Sequence, residues 1–133
     1  MREIKFRAWH KNRKTFLDFY WAVDKLGRTF SILDKYMYDE FTDEIELIQY
    51  TGLKDMNGVE IYEGDIVNVT WQRDDVEGEN YAIAYDPNND GYSAFDFVDW
   101  YEDMNGLSCA YIDGQITVIG NRFENPELLE EEL

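Results

Sequence analysis

YTGLKDMNGVEIYEGDIV, residues 50–67, is the stretch on which the reading of the fold turns. Two strand-like runs meet in it through dense turn chemistry. Asn57-Gly58 is the strongest short hairpin signal available, because both central residues of a type I′ turn need positive φ. Glu63-Gly64-Asp65 is a second turn, and it launches a strand over residues 66–71. Asn57, Gly58 and Gly64 are therefore the structural turn residues here. Four carboxylates, Asp55, Glu60, Glu63 and Asp65, fall within eleven residues around these turns. Capping of turn amides and solvation of strand edges account for them. A binding role is the alternative.

Working toward the N-terminus, residues 3–9 alternate, with Ile4, Phe6 and Ala8 on one face and Glu3, Lys5 and Arg7 on the other. That is the pattern of a half-buried strand. Residues 11–14 form a polar turn. The aromatic-rich run 15–23 (Phe16, Phe19, Tyr20, Trp21) then pairs back on the first strand. Leu26-Gly27-Arg28 breaks it, and residues 29–33 form a short third strand. Residues 34–43 read as a loop or short helical turn. Residues 44–50 are a strand that is apolar on both faces, which suits a central position.

Toward the C-terminus, residues 65–72 are a strand and residues 73–80, rich in carboxylates, an exposed loop. Residues 81–85 and 91–98 are strands around a turn at 86–90. Phe97, Trp100, Tyr101 and Met104 are spaced for a short amphipathic helix ending at Asn105-Gly106. Residues 107–112 and 115–119 flank Asp113-Gly114, a second hairpin turn. Asn125-Pro126 opens a final turn as N-cap and first residue, with Leu128 and Leu129 packing. The expected fold is mainly β (β-rich α+β) and antiparallel, with one or two short helices. Its sheet is barrel-like or strongly twisted. A single domain is expected over 1–133, with a basic N-terminal β-hairpin at 1–28 and a β-rich acidic body at 44–129. Residues 130–133 make a frayed acidic tail.

Composition supports a core: 44% of residues are hydrophobic and 17% aromatic, which argues against disorder. No apolar run approaches the ~20 residues of a membrane span, and Met1 leads straight into strand alternation rather than a signal peptide. Cys109 stands alone, so no internal disulfide forms and the cytosol is the default compartment. Alternating with apolar neighbours, it reads as a buried small hydrophobe on a strand.

Net charge is −17. Residues 1–28 hold eight basic and three acidic residues (+5), and the remainder holds four basic and 26 acidic (−22). The split fits a basic strand lying beside acidic ones, or an acidic surface that steers a basic protein partner. General nucleic-acid binding is disfavoured because most of the surface repels phosphate. Docking of a basic arm on an acidic body between copies makes a homo-oligomer the expectation.

Asp86-Pro-Asn-Asn-Asp-Gly91 places Asp86, Asn88 and Asp90 where an EF-hand loop begins its ligand set. Phe97 at the twelfth position and strand-like flanks favour a plain turn, so no metal or other cofactor is expected. His10, beside Lys11 and Asn12, reads as an exposed turn residue without a Ser or Cys partner for a relay. No phosphate-cradling loop, zinc spacing or dinucleotide fingerprint occurs. With 29 carboxylates, chance proximity nominates no reaction, and the expectation is a non-enzyme. Glu60, Tyr62, Glu63 and Asp65, with Trp9 and Trp71, are the candidate binding residues. Arg2, Arg7 and Arg13 form a basic arm. Such guanidinium groups beside aromatics would also suit a nucleotide-like small molecule.

Three segments carry a resemblance: MREIKFRAW (1–9), the stretch 50–67, and VIGNRFENPELL (118–129). In that order they resemble the opening strand, central signature and closing motif of the YopX family of phage and prophage proteins. His10 departs from the acidic residue expected after the opening strand. The resemblance implies a phage or prophage accessory protein in the cytoplasm of a bacterial host. Its partner would be a host or phage protein. The family has no settled biochemical activity and offers no catalytic residues to carry over.

Overall fold

In the computed structural model, residues 3–33, 36–71, 78–85, 95–99 and 105–129 are described. The chain divides into two units, residues 6–48 and residues 1–5 with 49–133. The strand pairings seen among the described residues are antiparallel, as expected.

In the first unit, β1 (Phe6–His10) pairs with β2 (Thr15–Phe16), placing Trp9 opposite Phe16 with the rings edge-on at 4.9 Å. The aromatic run does not continue along β1. It divides, because Trp21–Val23 (β3) pairs with Thr29–Leu33 (β4) instead. The turn between them is built by Asp24. Its carboxylate accepts from the Leu26 and Arg28 N–H groups and from Arg28 Nε at 2.6 Å. Residues 36–40 correct the loop expectation: Tyr36–Glu40 is β5, paired with β4 and followed by a 3-10 turn at Thr42–Glu44. The turn-forming acids around it masked an aromatic segment that gains its hydrogen bonds from a neighbouring strand. His10 is also corrected. It is buried, with 9% of its surface exposed, its Nδ1 accepting from the Arg13 N–H at 3.1 Å. The alternation put Ile4 on the buried face, yet Ile4 is 69% exposed while Trp9 is buried. Strand β1 starts only at Phe6, so Ile4 precedes the segment in which the alternation operates.

The second unit takes up β6 (Ile45–Lys54), which begins in the first. β6 pairs with β7 (Glu60–Tyr62), Tyr50 opposite Tyr62. A four-stranded sheet follows in the order β10-β9-β8-β11, made of β8 (Asp65–Trp71), β9 (Glu79–Tyr85), β10 (Phe95–Phe97) and β11 (Gly114–Asn121). Its core joins Ile61, Val67, Val69, Ile83, Phe95 and Phe97 to Leu107 and Ala110 of α1 (Gly106–Asp113).

That helix overturns two expectations. Residues 107–112 are not a strand, and Asp113-Gly114 is not a hairpin turn. Leu107, Cys109 and Tyr111 alternate, yet Leu107 and Ala110 also share a helical face, and so short a run is ambiguous by period alone. The choice is made by hydrogen bonds from outside it. Asn105 Oδ1 accepts from the Ser108 N–H at 2.8 Å, and Asp96 Oδ1 accepts from the Gly106 and Leu107 N–H groups. Asn105 thus opens a helix rather than closing one. Of the residues spaced for that earlier helix, Phe97 lies on strand β10, and Trp100, Tyr101 and Met104 lie outside the described residues. Cys109 is on the helix and half-buried. At the closing turn Pro126–Leu129, Leu128 is half-buried and Leu129 exposed.

The Asn57-Gly58 turn is a hairpin of a different type from the one expected. Gly58 has φ +81°, while Asn57 is not in the positive region. Asp55 and Val59 close the loop (Asp55 N–H to Val59 O, 2.8 Å), and the Gly58 N–H donates to Asp55 O. This is a longer turn ending in a left-handed glycine. The Asp55 side chain selects it by accepting from the Asn57 and Val59 N–H groups. Gly64, at φ +84°, sits under the Phe123 ring, which comes within 2.7 Å of where a Cβ would stand. Gly58 has open space at that position.

These surroundings rank two substitutions. Gly58→Val strains only the backbone and is expected to cost about 1–3 kcal/mol. Gly64→Ala adds an overpacked ring to a left-handed residue and is expected to cost about 2–5 kcal/mol. Urea unfolding midpoints measure both. Equal midpoints for Gly58→Val and wild type would show that this turn does not hold the hairpin.

Candidate functional site

The sequence-nominated carboxylates are occupied by the fold. Asp55 is buried, and its two oxygens accept three main-chain N–H groups, from Asn57, Val59 and, 63 residues away, Val118 at 2.9 Å. Burial alone would raise its pKa, but the N–H groups of Val118, Val59 and Asn57 outweigh it and hold the carboxyl below the usual range. Asp65 is buried and accepts from the Tyr62 N–H at 2.8 Å. Glu63 is half-buried and accepts from the Gln49 N–H. Glu60 lies 2.5 Å from Lys5 Nζ, which also meets Glu3 at 3.1 Å and stands over the Tyr50 ring. Glu60, then Glu3, holds the Lys5 ammonium above its ordinary range. The Tyr50 ring packs tilted against Tyr62 at 5.3 Å, and burial pushes its phenol up.

Glu60, Tyr62, Glu63 and Asp65 therefore come together, but as packing and turn chemistry, with Tyr62 and Asp65 inside. Trp71 is half-buried against the core, and Trp9 is buried in the other unit. Arg7 and Arg13 are exposed residues of that other unit, and Arg2 lies outside the described residues. So do Asp86, Asn88 and Asp90. Among the described residues no three His, Cys, Asp or Glu side chains are grouped to hold a metal ion.

What the fold does open is a cleft of about 350 Å³ at the hairpin tip, with Lys54, Asp55, Met56, Tyr111, Gln115 and Ile116 in its lining. It exists because the tip is bound to β11: the Met56 N–H donates to Ile116 O while Asp55 holds Val118. Met56 is 59% exposed and Tyr111 is 52% exposed. A thioether and a phenol ring beside an ammonium and an amide can seat an apolar side chain and anchor the polar groups next to it. The sequence reading missed this site because it set Tyr111 on a strand. Charge also divides by unit. Residues 6–48 hold seven basic and eight acidic residues (−1), whereas residues 1–5 with 49–133 hold five and 21 (−16).

Antiparallel sheets, an α-helix packed on the β10-β9-β8-β11 sheet, and three sequence segments that interlock in that unit define a β-rich domain class. The chain belongs to the YopX family, whose model, described as YopX protein, matches residues 5–130. It is similar to protein EF1440 from Enterococcus faecalis, at 27% identity, 98% of this chain and 100% of that one, with a TM-score of 0.65. Protein yopX from Bacillus subtilis is similar in fold, at 19% identity over 98% and 100% of the two chains, with a TM-score of 0.56. No curated protein matches the chain.

Asp55→Ala is expected to destabilise the chain by about 2–4 kcal/mol, since it strands N–H groups that a charged acceptor had satisfied. The pH dependence has a definite sign. A carboxyl whose folded pKa is depressed contributes fully above its unfolded value, about 3.9, and loses that contribution as pH falls through the folded value. Melting curves of wild type and Asp55→Ala should therefore differ most at neutral pH and converge in acid below about pH 4. A gap that stays constant down to acid would assign the stabilisation to packing instead.

Proposed function

We propose that this YopX-family chain is a non-enzymatic, acidic accessory protein of phage or prophage origin. It acts in the bacterial cytoplasm by binding a basic host or phage protein. The observation that carries this reading is the exposed Met56–Tyr111 cleft on the unit with net charge −16. A field of that sign speeds encounter with a basic surface, and a Met and Tyr cleft supplies the anchor that charge alone does not. A host factor that binds nucleic acid, including a defence factor that does so, has such a surface. Carboxylates standing in for phosphates would compete for it.

A second reading, a nucleotide-like small molecule, is favoured by the cleft's volume, which falls within the ordinary range for small-molecule sites. Tyr111 would stack on the base and Lys54 would meet the phosphate.

Pull-down from host lysate at low and high salt tests the first reading. A basic protein should be retained at low salt and released at high salt. Tyr111→Ala should weaken retention at least tenfold without moving the melting temperature. Retention unaffected by Tyr111→Ala would remove the cleft from the mechanism. A thermal-shift screen with nucleotides decides the second reading, and flat melting temperatures would exclude it.

A further inference from the structure

Strand β3 is the end strand of the sheet β3-β4-β5. Its inward hydrogen bonds come from alternate residues: the Ile32 N–H donates to Tyr20 O at 3.1 Å, and the Asp24 N–H donates to Arg28 O at 3.0 Å. In an antiparallel ladder the intervening residues turn their main-chain groups the other way. The N–H and C=O groups of Trp21 and Val23 therefore face outward, and they have no partner among the described residues. Exposed apolar side chains flank this open edge, Tyr20 at 84% and Leu26 at 71%, with Phe19 beside them.

We propose that this edge pairs with the same edge of a second copy, giving a two-fold dimer that carries one sheet through both protomers. The inference is independent of the cleft. The register follows from the outward groups. With Ala22 on the two-fold axis, Trp21 exchanges both hydrogen bonds with Val23 of the second copy, and twice over, so four bonds form. Ala22 meets Ala22 of the second copy as the close, non-bonded pair, where a small side chain lets the strands approach. Trp21 packs on Val23 of the second copy, an aromatic and β-branched pair suited to that position. Tyr20 then stands opposite Asp24 of the second copy, and Phe19 opposite Lys25, so no like charges are opposed.

Electrostatics selects this occupant. Two chains of net charge −17 repel, but the unit bearing β3 carries only −1. Pairing there opposes nearly neutral surfaces. The self-complementary main-chain edge needs no foreign partner.

Sedimentation equilibrium should show a concentration-dependent dimer that persists at high salt. Val23→Pro removes an outward N–H that β4 does not use, so it should raise the dimer Kd at least tenfold while leaving the melting temperature in place. A second test is covalent, in a Cys109→Ala background. Ala22→Cys places two thiols at the separation of a close antiparallel pair, within disulfide reach, and oxidation should give a covalent dimer. Lys25→Cys places them roughly 20 Å apart and should not cross-link. A wild-type chain that stays monomeric at every concentration overturns the proposal. So does a dimer indifferent to Val23→Pro, or cross-linking at position 25 as efficient as at 22. If Val23→Pro fails to fold, the two cysteine variants decide alone.

Discussion

One carboxylate ties the larger unit together across 63 residues of sequence. Asp55 closes its own turn with one oxygen, through the Asn57 and Val59 N–H groups, and reaches Val118 on β11 with the other. An amide oxygen could accept the Asn57 and Val59 N–H groups, but only a carboxylate has a second acceptor oxygen for the Val118 N–H, and its charge strengthens each bond. The hairpin tip is thereby fixed against β11, and the cleft between the tip and α1 follows from that attachment. Gly64 is the second junction of the same kind. Its N–H donates to Ile83 O, its C=O accepts from the Arg122 N–H, and its missing Cβ leaves room for Phe123.

The two ends of the four-stranded sheet are closed by such contacts. Along β11, Met56 and Asp55 take Ile116 O and the Val118 N–H, and the Gly114 N–H is held by Ala110 O. Along β10, the Asn105 side chain donates to Phe95 O. An open sheet edge is a template for another chain, and here side chains and turns occupy it. Strand β3 has no such cover among the described residues, which makes the contrast within one chain informative.

The three segments that resemble the family meet in the second unit. Lys5 of the opening segment lies on Glu60 and Tyr50, Gly64 lies against Arg122 and Phe123, and Asp55 holds Val118. These signature residues are accounted for by folding. Residues that could engage a partner stand at the rim of that framework: Met56, an exposed member of the 50–67 segment, and Tyr111, which lies outside all three segments. Candidate contact residues in this chain are therefore the exposed ones the framework presents rather than its buried turn residues.

Local chemistry determined a good part of this protein. Turn residues on their flanks located β8 and β9, the Asn57-Gly58 pair located the hairpin at Asp55–Val59, and the succession of short strand-like runs implied an antiparallel β-rich fold. Those features are legible because strand period and turn propensity act over a few residues. Tertiary structure decided the rest. Residues 107–112 became a helix because Asp96 and Asn105 supply acceptors for its first N–H groups, and no pattern inside the segment records them. Tyr36–Glu40 became a strand because β4 offered it a ladder. His10 was buried, and Tyr62 and Asp65 were withdrawn from the surface, by packing against residues distant in sequence. The cleft arose where an exposed methionine and tyrosine, 55 positions apart, were brought to one rim by a bond from Asp55 to Val118. Long-range hydrogen bonds and burial choose among local alternatives of similar energy, and a single sequence does not contain the partner that settles the choice.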